Sequence, residues 1–321
     1  MMKKSFSIFA LLISLILAIY LFAVKPQITE HNVEEKISWE KEIQIKGPKE
    51  AWEEFKKTQK DLGSAKKHEN AHLFGSILYK TIGIGGVGIC DDSFNYACYH
   101  SLLGDAIMDN GTSIVDYANK YCMRLGGWST IACQHGIGHG AIGATDYNID
   151  MLREALIVCN SIDKNKSLFG CSNGVFMEYN FRTLHSGKRS YREIDPDNLM
   201  FPCNKLPKEF GEACYFAQPQ WWITMFRQES EKKYESVGKL CLKLNEKERE
   251  KCALGSGAVA PRTSRRSAEK AVLLCKALGN HELEVQCRAG AAGYPTNKYD
   301  NILCSELNNV DKKFCLTMKY F

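Results

Sequence analysis

Five of the eight histidines in this chain lie between positions 68 and 139, and histidine is a common ligand of transition metals. They are His68, His72, His100, His135 and His139. The pairs 68/72 and 135/139 have the i, i+4 spacing that places both imidazoles on one face of a helix and suits two ligands of one metal ion. The pattern predicts a divalent transition metal, zinc, copper or iron, bound by these pairs, with His100 as a further ligand or as support for one.

The second histidine pair lies in a run that is rich in glycine. Residues 133–140 read Cys-Gln-His-Gly-Ile-Gly-His-Gly. Small residues follow one helical face through this run: Ala132, Gly136, Gly140 and Gly143. Glycine inside a helix costs about 0.5–1 kcal/mol relative to alanine, so we expect another backbone or a bound group to approach this face closely. Two carboxylates, Asp105 and Glu178, each seven residues after a cysteine, are predicted to approach the same face.

Residues 68–72 also fit the pattern HExxH, in which two histidines bind zinc and the glutamate activates a water molecule. Lys66 and Lys67 precede the pattern where zinc hydrolases usually have an apolar helix, and no third ligand is identifiable from spacing. The alternative is that Glu69 is simply solvated. If a bound metal keeps an open coordination position, Glu69 or Glu178 is the candidate catalytic base, and whether the protein is an enzyme stays open.

The fourteen cysteines fall into consecutive pairs, and six of the seven gaps are 11 or 12 residues. The pairs are Cys90 with Cys98, Cys122 with Cys133, Cys159 with Cys171, Cys203 with Cys214, Cys241 with Cys252, Cys275 with Cys287, and Cys304 with Cys315. An even count at regular spacing, without CxxC knuckles, predicts seven disulfides rather than zinc sites. The CxxCH motif of covalently bound c-type haem does not occur, and complete pairing excludes a thiol nucleophile.

The cysteine pairs also mark an internal repeat. The second cysteines are 35, 38, 43, 38, 35 and 28 residues apart, a period typical of two-helix repeats. The third residue after the second cysteine is small in six units: Ser101, Gly136, Gly174, Ala217, Gly255 and Gly290. In hairpin pattern and period the chain loosely resembles tetratricopeptide or Sel1-type repeats. The resemblance implies an all-α fold, a right-handed α-solenoid of about seven disulfide-stapled helical hairpins.

The N-terminal region predicts export and membrane attachment. Residues 6–24 form an uncharged run of about the length that a bilayer-spanning helix needs. Lys3 and Lys4, which precede this run, favour a cytoplasmic N-terminus. Cleavage after Ala23, giving a secreted protein, is the alternative. Four segments follow: a signal anchor or transmembrane helix (1–25), a polar linker (26–47), an N-terminal helical segment with His68 and His72 (48–89), and the repeats (90–321).

Other ligand classes are disfavoured. The net charge is only +5, and the basic run 262–270 lacks interleaved aromatic residues, so nucleic-acid binding is not expected. Residues 83–88 match GxGxxG, but the run follows a helical pattern instead of a strand, so no nucleotide site is predicted. Trp221 and Trp222 are interpreted as packing between hairpins or, alternatively, as a contact surface for a protein or glycan.

Two functions from different classes remain. The first is a membrane-anchored, extracytoplasmic helical-repeat protein with a histidine-cluster metal site, with metal-dependent catalysis as an extension. The second is a non-catalytic interaction scaffold in which the histidines are structural. A metal site predicts that imidazole nitrogens from separate helices converge, whereas a scaffold requires an exposed apolar groove and lets them diverge.

Overall fold

The computed structural model describes residues 28–163, 166–184, 191–293 and 300–318, and every regular element within these ranges is helical. The all-α class is therefore confirmed for this part of the chain. The predicted anchor, 1–25, lies outside the described residues. Among the helices that are described, none is long and apolar enough to cross a membrane alone. Ser64–Gly88 and Ser93–Asn110 meet that requirement only as a pair, bent by 117°.

Fifteen α-helices are described, and the predicted helices around residues 51–57 and 65–82 are among them. In chain order they are α1 (Ile28–Lys46), α2 (Pro48–Thr58), α3 (Ser64–Ile82), α4 (Ala97–Asn110), α5 (Val115–Cys122), α6 (Gly127–Gly143), α7 (Ile149–Ile162), α8 (Cys171–Phe181), α9 (Gly211–Met225), α10 (Ser230–Cys241), α11 (Glu246–Thr263), α12 (Ala268–Lys276), α13 (His281–Ala292), α14 (Asp300–Cys304) and α15 (Asn309–Thr317). The GxGxxG run forms a 3₁₀ turn, Gly83–Gly88, that leads from α3 towards Cys90.

All fourteen cysteines form disulfides, and each pairs with its neighbour along the chain, as predicted. Five bonds join a cysteine in the last turn of one helix to a cysteine within the next helix. The exceptions are those from Cys90 and Cys203, which lie beside or within 3₁₀ turns. In the entropic account, a loop of this length contributes about 2–3 kcal/mol by restricting the unfolded chain. Disulfides at this density are typical of oxidising compartments outside the cytoplasm.

The longer helices pack against one another in chain order. Helix α3 packs on α4, α4 on α6, α6 on α8, α8 on α9, α9 on α11 and α11 on α13. Helices α5, α7, α10 and α12 each pack on the following helix, to which a disulfide joins them. The predicted histidine ligands therefore lie on three neighbouring helices, α3, α4 and α6, and Glu178 lies on the next one, α8.

Glycines set the separation of these helices. A Cβ atom added at Gly136 of α6 would lie 2.7 Å from the carbonyl oxygen of Tyr99 in α4. On the other side of α6, a Cβ at Gly138 would overlap the carbonyl oxygen of Cys171 in α8, and one at Gly174 of α8 would overlap that of His135. The predicted close backbone approach is confirmed at these positions, and it places α6 in direct backbone contact with both neighbours.

The predicted polar linker is largely helical, since residues 28–46 form α1. Trp39 and Ile43, four residues apart, place apolar side chains on the same face of this helix. Ile43 is buried, and the Trp39 ring packs edge-on against Phe55 and Phe74, with centroids 5.3 and 5.7 Å away. The helix thus covers the aromatic core formed by α2 and α3.

Trp221 and Trp222 are both fully buried, which corrects their alternative interpretation as a contact surface for a protein or glycan. Their indole N–H groups donate to the carbonyl oxygens of Arg192 and Leu199. The Arg192 guanidinium stacks 3.5 Å from the centre of the Trp221 ring and donates to the side-chain oxygen of Asn180. No acidic side chain within the described ranges pairs with Arg192, whose pKa burial lowers to about 10. The two indoles therefore hold the segment after α8 against the helical core.

Candidate metal centre

The five predicted histidines converge. Their ligand atoms form two groups of three, His68 with His72 and His100, and His100 with His135 and His139. Within each group the candidate atoms lie within 4.8 Å of one another. Three helices contribute, since α3 carries the first pair, α6 the second and α4 carries His100 between them. The convergence that a metal site requires is therefore present.

The pair on α3 is half-buried. The Nε2 atoms of His68 and His72 are 3.1 Å apart. His68 Nδ1 donates to the carbonyl oxygen of Phe94 over 2.6 Å, and His72 Nδ1 lies 2.7 Å from the hydroxyl of Ser101. Phe94 and the two residues after it have φ angles of 55°, 54° and 62°, a conformation that costs side-chain-bearing residues energy. This strained turn aims the Phe94 carbonyl at His68.

The pair on α6 is buried and similarly arranged. The Nε2 atoms of His135 and His139 are 3.1 Å apart. His135 Nδ1 donates to the carbonyl oxygen of Phe169, and His139 Nδ1 donates to Glu178 Oε2, each over 3.0 Å. In both rings Nδ1 is bonded outwards and Nε2 faces the centre of the cluster.

Glu178 is fully buried and holds its place through four donors. Oε2 accepts from His139 Nδ1 and from the Thr183 hydroxyl, while Oε1 accepts from the Tyr147 hydroxyl at 2.7 Å and from the Leu184 amide at 2.9 Å. Burial by itself would raise the pKa of Glu178, but these hydrogen bonds outweigh it and the pKa is lowered. Glu178 is therefore an ionised carboxylate that only accepts hydrogen bonds.

The hydrogen-bond partners of His135 and His139, the pair on α6, determine which ring nitrogens carry the protons. A carbonyl oxygen and an ionised carboxylate can only accept, so Nδ1 of both His135 and His139 carries the hydrogen. In the neutral rings, both Nε2 atoms then present lone pairs to each other across 3.1 Å. Such an arrangement is repulsive unless a cation binds both nitrogens. Burial and the neighbouring His139 lower the pKa of His135 to about 3, so His135 Nε2 is unprotonated and can bind a cation.

Comparison of the chain with models of known protein families, with curated proteins and with solved structures finds no match.

His100 occupies the middle of the cluster. Its ring centroid lies 5.7 and 5.3 Å from those of His68 and His72, and 5.1 and 4.6 Å from those of His135 and His139. The side chain is only 4% exposed, and it forms no hydrogen bond to any residue that the structure describes. Burial, followed by the four surrounding imidazoles, lowers the pKa of His100 well below its ordinary value. A neutral imidazole with unbonded nitrogens at this position is suited to ligation.

The predicted acidic residues have different environments. Glu178 contacts the cluster through His139, but it comes from α8, on the side of α6 opposite the Gly136 face that it was predicted to approach. The Asp105 carboxylate instead interacts with Ser76 and Lys80, and burial raises its pKa. Glu69, the glutamate of HExxH, has 69% of its side chain exposed and lies 3.3 Å from Lys66. The exposed glutamate matches the solvated alternative.

Sequence reasoning missed the groups that orient the imidazoles. Phe94 and Phe169 act through backbone carbonyls, which no side-chain motif reveals. Tyr147 and Thr183 lie in connections outside the helices, where no periodic pattern marks them. The only available signal was the position of Glu178 on the helix after the second histidine pair.

Proposed function

We propose that this protein binds transition metal through its five-histidine cluster, with His68, His72, His100, His135 and His139 as the candidate ligands. The observation that carries the proposal is the geometry of His135 and His139. Their two buried Nε2 lone pairs face each other at 3.1 Å while both Nδ1 atoms are bonded to acceptors. A metal ion bound to both nitrogens, off the line that joins them, turns this repulsion into coordination.

The donor set favours a borderline transition metal. All five candidate ligands are imidazoles, which suit zinc, copper and iron, whereas calcium and magnesium prefer oxygen ligands. The cysteines are all in disulfides and so supply no thiolate. The Glu178–His139 contact also repeats an arrangement common at metal sites, in which a carboxylate accepts the second N–H of a ligating histidine and fixes its orientation.

The protein as a whole is proposed to be a right-handed α-solenoid attached to a membrane by residues 1–25, with its metal centre outside the cytoplasm. The ordered packing of α3 to α13 supports the solenoid, and the seven disulfides support the compartment. The scaffold alternative loses its main feature because Trp221 and Trp222 are buried. Since Glu69 is exposed and Glu178 is fully engaged with four donors, the proposal assigns no reaction to the bound metal.

Elemental analysis tests this function. The full chain, purified with its disulfides intact and exposed to zinc or copper, is expected to retain metal after desalting. The double variant His135→Ala/His139→Ala should retain less metal than the wild type. His281→Ala is the matched control, because His281 is an exposed histidine on α13 that bonds Asp311. No stoichiometric metal in the wild type, or equal retention in the double variant, would refute the proposal.

A further inference from the structure

The five histidines do not form one set of ligands. Their candidate atoms divide into two groups of three, each within 4.8 Å, and the groups have only His100 in common. With bonds of about 2.0–2.1 Å, two ligand atoms on opposite sides of one ion are about 4.2 Å apart at most. The five ligand atoms do not all lie within 4.8 Å of one another, so binding all five imidazoles to a single ion would require the helices to move. Those helices are held at backbone contact by Gly75 between α3 and α4 and by Gly136 between α4 and α6.

The two groups are built alike. Each has an i, i+4 pair whose Nε2 atoms are 3.1 Å apart. Each pair has Nδ1 of its first histidine bonded to a backbone carbonyl, from Phe94 in one and from Phe169 in the other. The same orientation of ligands is thus built twice, on either side of α4, and among the described residues neither copy has a third ligand of its own.

His100 is placed to supply that third ligand to both. It lies on α4 between the two pairs, it is buried, and neither ring nitrogen bonds a residue in the described part of the chain. One imidazole can serve two ions at once only as an imidazolate, with one ion on each nitrogen.

We propose that the cluster is a dinuclear centre, in which one ion is bound by His68, His72 and His100, the other by His100, His135 and His139, and His100 bridges them as an imidazolate. Both ions presuppose the metal-binding function proposed above. A neutral His100 carries one ring proton, and formation of the bridge releases that proton to solvent while the second metal–nitrogen bond forms. No electron transfer is involved.

The two ions should differ in accessibility. The pair on α3 is half-buried, whereas His135, His139 and the supporting Glu178 are buried. A chelator is therefore expected to remove the ion at the α3 pair first. The ion at the α6 pair should follow more slowly.

Metal counting in single variants tests the dinuclear centre. The wild-type full chain titrated with Cu²⁺ or Zn²⁺ should bind two ions. His72→Ala should keep one, through His100, His135 and His139, and His139→Ala should keep one through the other group. His100→Ala should weaken the binding of both ions, and His281→Ala should still bind two ions. If His139→Ala fails to fold because Glu178 loses a donor, His135→Ala replaces it.

The outcomes separate the two proposals. No bound metal in the wild type overturns both. One ion in the wild type, lost in every cluster variant, leaves metal binding standing and overturns the dinuclear centre. For the bridge, calorimetry of the second equivalent in two buffers of different ionisation enthalpy should show one extra proton released. The EPR signal of the dicopper form should be weaker than that of two isolated ions. Two ions with a full EPR signal and no proton release would refute the imidazolate.

Discussion

The substitution Glu178→Gln removes a single charge and leaves the shape of the side chain nearly unchanged. Its effect follows from the four donors around the carboxylate, because the amide group must place its NH₂ on one side. If NH₂ faces the Oε1 side, the Tyr147 hydroxyl can turn to accept, but the Leu184 backbone amide can only donate and loses its partner. If NH₂ faces the Oε2 side, His139 Nδ1 must become an acceptor. The ring proton then moves to Nε2, the atom that would bind metal.

Either outcome has a predictable magnitude. A buried donor without a partner costs about 1–3 kcal/mol of stability. Loss of a carboxylate that orients a ligating histidine typically lowers metal affinity 10- to 100-fold, which corresponds to about 1.4–2.7 kcal/mol. Because the side chain is fully buried, water cannot replace the lost partner. We therefore expect Glu178→Gln to lower both the free energy of unfolding and the affinity for zinc.

Two measurements on one preparation check this. Urea denaturation of the metal-free protein gives the stability change, and competition with a chelator of known affinity gives the metal dissociation constant. Glu69→Gln is the matched control, since it makes the same change in an exposed side chain next to His68. That variant should leave both quantities unchanged. Unaltered zinc affinity in folded Glu178→Gln would show that the carboxylate does not orient a ligand, and the proton assignment of His139 would be wrong.

Three further predictions concern the framework. Gly174→Ala should lower the free energy of unfolding, measured by urea denaturation, by about 1–3 kcal/mol, because its Cβ would overlap the carbonyl oxygen of His135. Gly85→Ala, with open space around it, should change stability by less than about 0.5 kcal/mol. Equal effects of the two substitutions would contradict the close approach of the helices. Replacing Cys304 and Cys315 together by serine opens a loop of sequence separation 11 and should lower stability by about 2–3 kcal/mol without changing metal affinity; no loss of stability would contradict the entropic account. Burial alone would raise the pKa of Asp91, but hydrogen bonds from the Lys56 ammonium and from Ser93 lower it. The stability that the Asp91 carboxylate contributes is therefore present above its ordinary pKa of about 3.9 and is lost as pH falls. Asp91→Asn should therefore be less stable than wild type at pH 7 and closer to it below pH 4, and a difference independent of pH would exclude this ion pair as the cause.

Much of the framework followed from cysteine and glycine spacing. Regular gaps between cysteines predicted the seven disulfides because a covalent bond between helix ends requires only local geometry. Small residues at one repeat position predicted close helix contacts, and Gly136 and Gly174 confirmed them. The histidines could be grouped because i, i+4 spacing and equivalent repeat positions both translate directly into shared faces.

The remaining features depend on tertiary contacts that spacing does not encode. Residues 28–46 are polar enough to suggest a linker, and only packing of Trp39 against Phe55 and Phe74 explains the helix. Asp105 and Glu178 hold the same offset from their cysteines, yet only Glu178 bonds a histidine. The division of the histidines into two groups depends on distances between helices, which a repeat period does not give.

The Arg192–Trp221 stack determines how the connection after α8 responds to salt. Thr183 and Leu184, which bond Glu178, lie at the start of that connection, and Arg192 lies further along it. Surface ion pairs weaken as added electrolyte screens them, but a guanidinium buried on an indole and paired with neutral amides offers electrolyte little to screen. A salt concentration high enough to dissociate the exposed lysine–glutamate pairs should therefore leave the hydrogen bonds to Glu178 in place, and with them the orientation of His139.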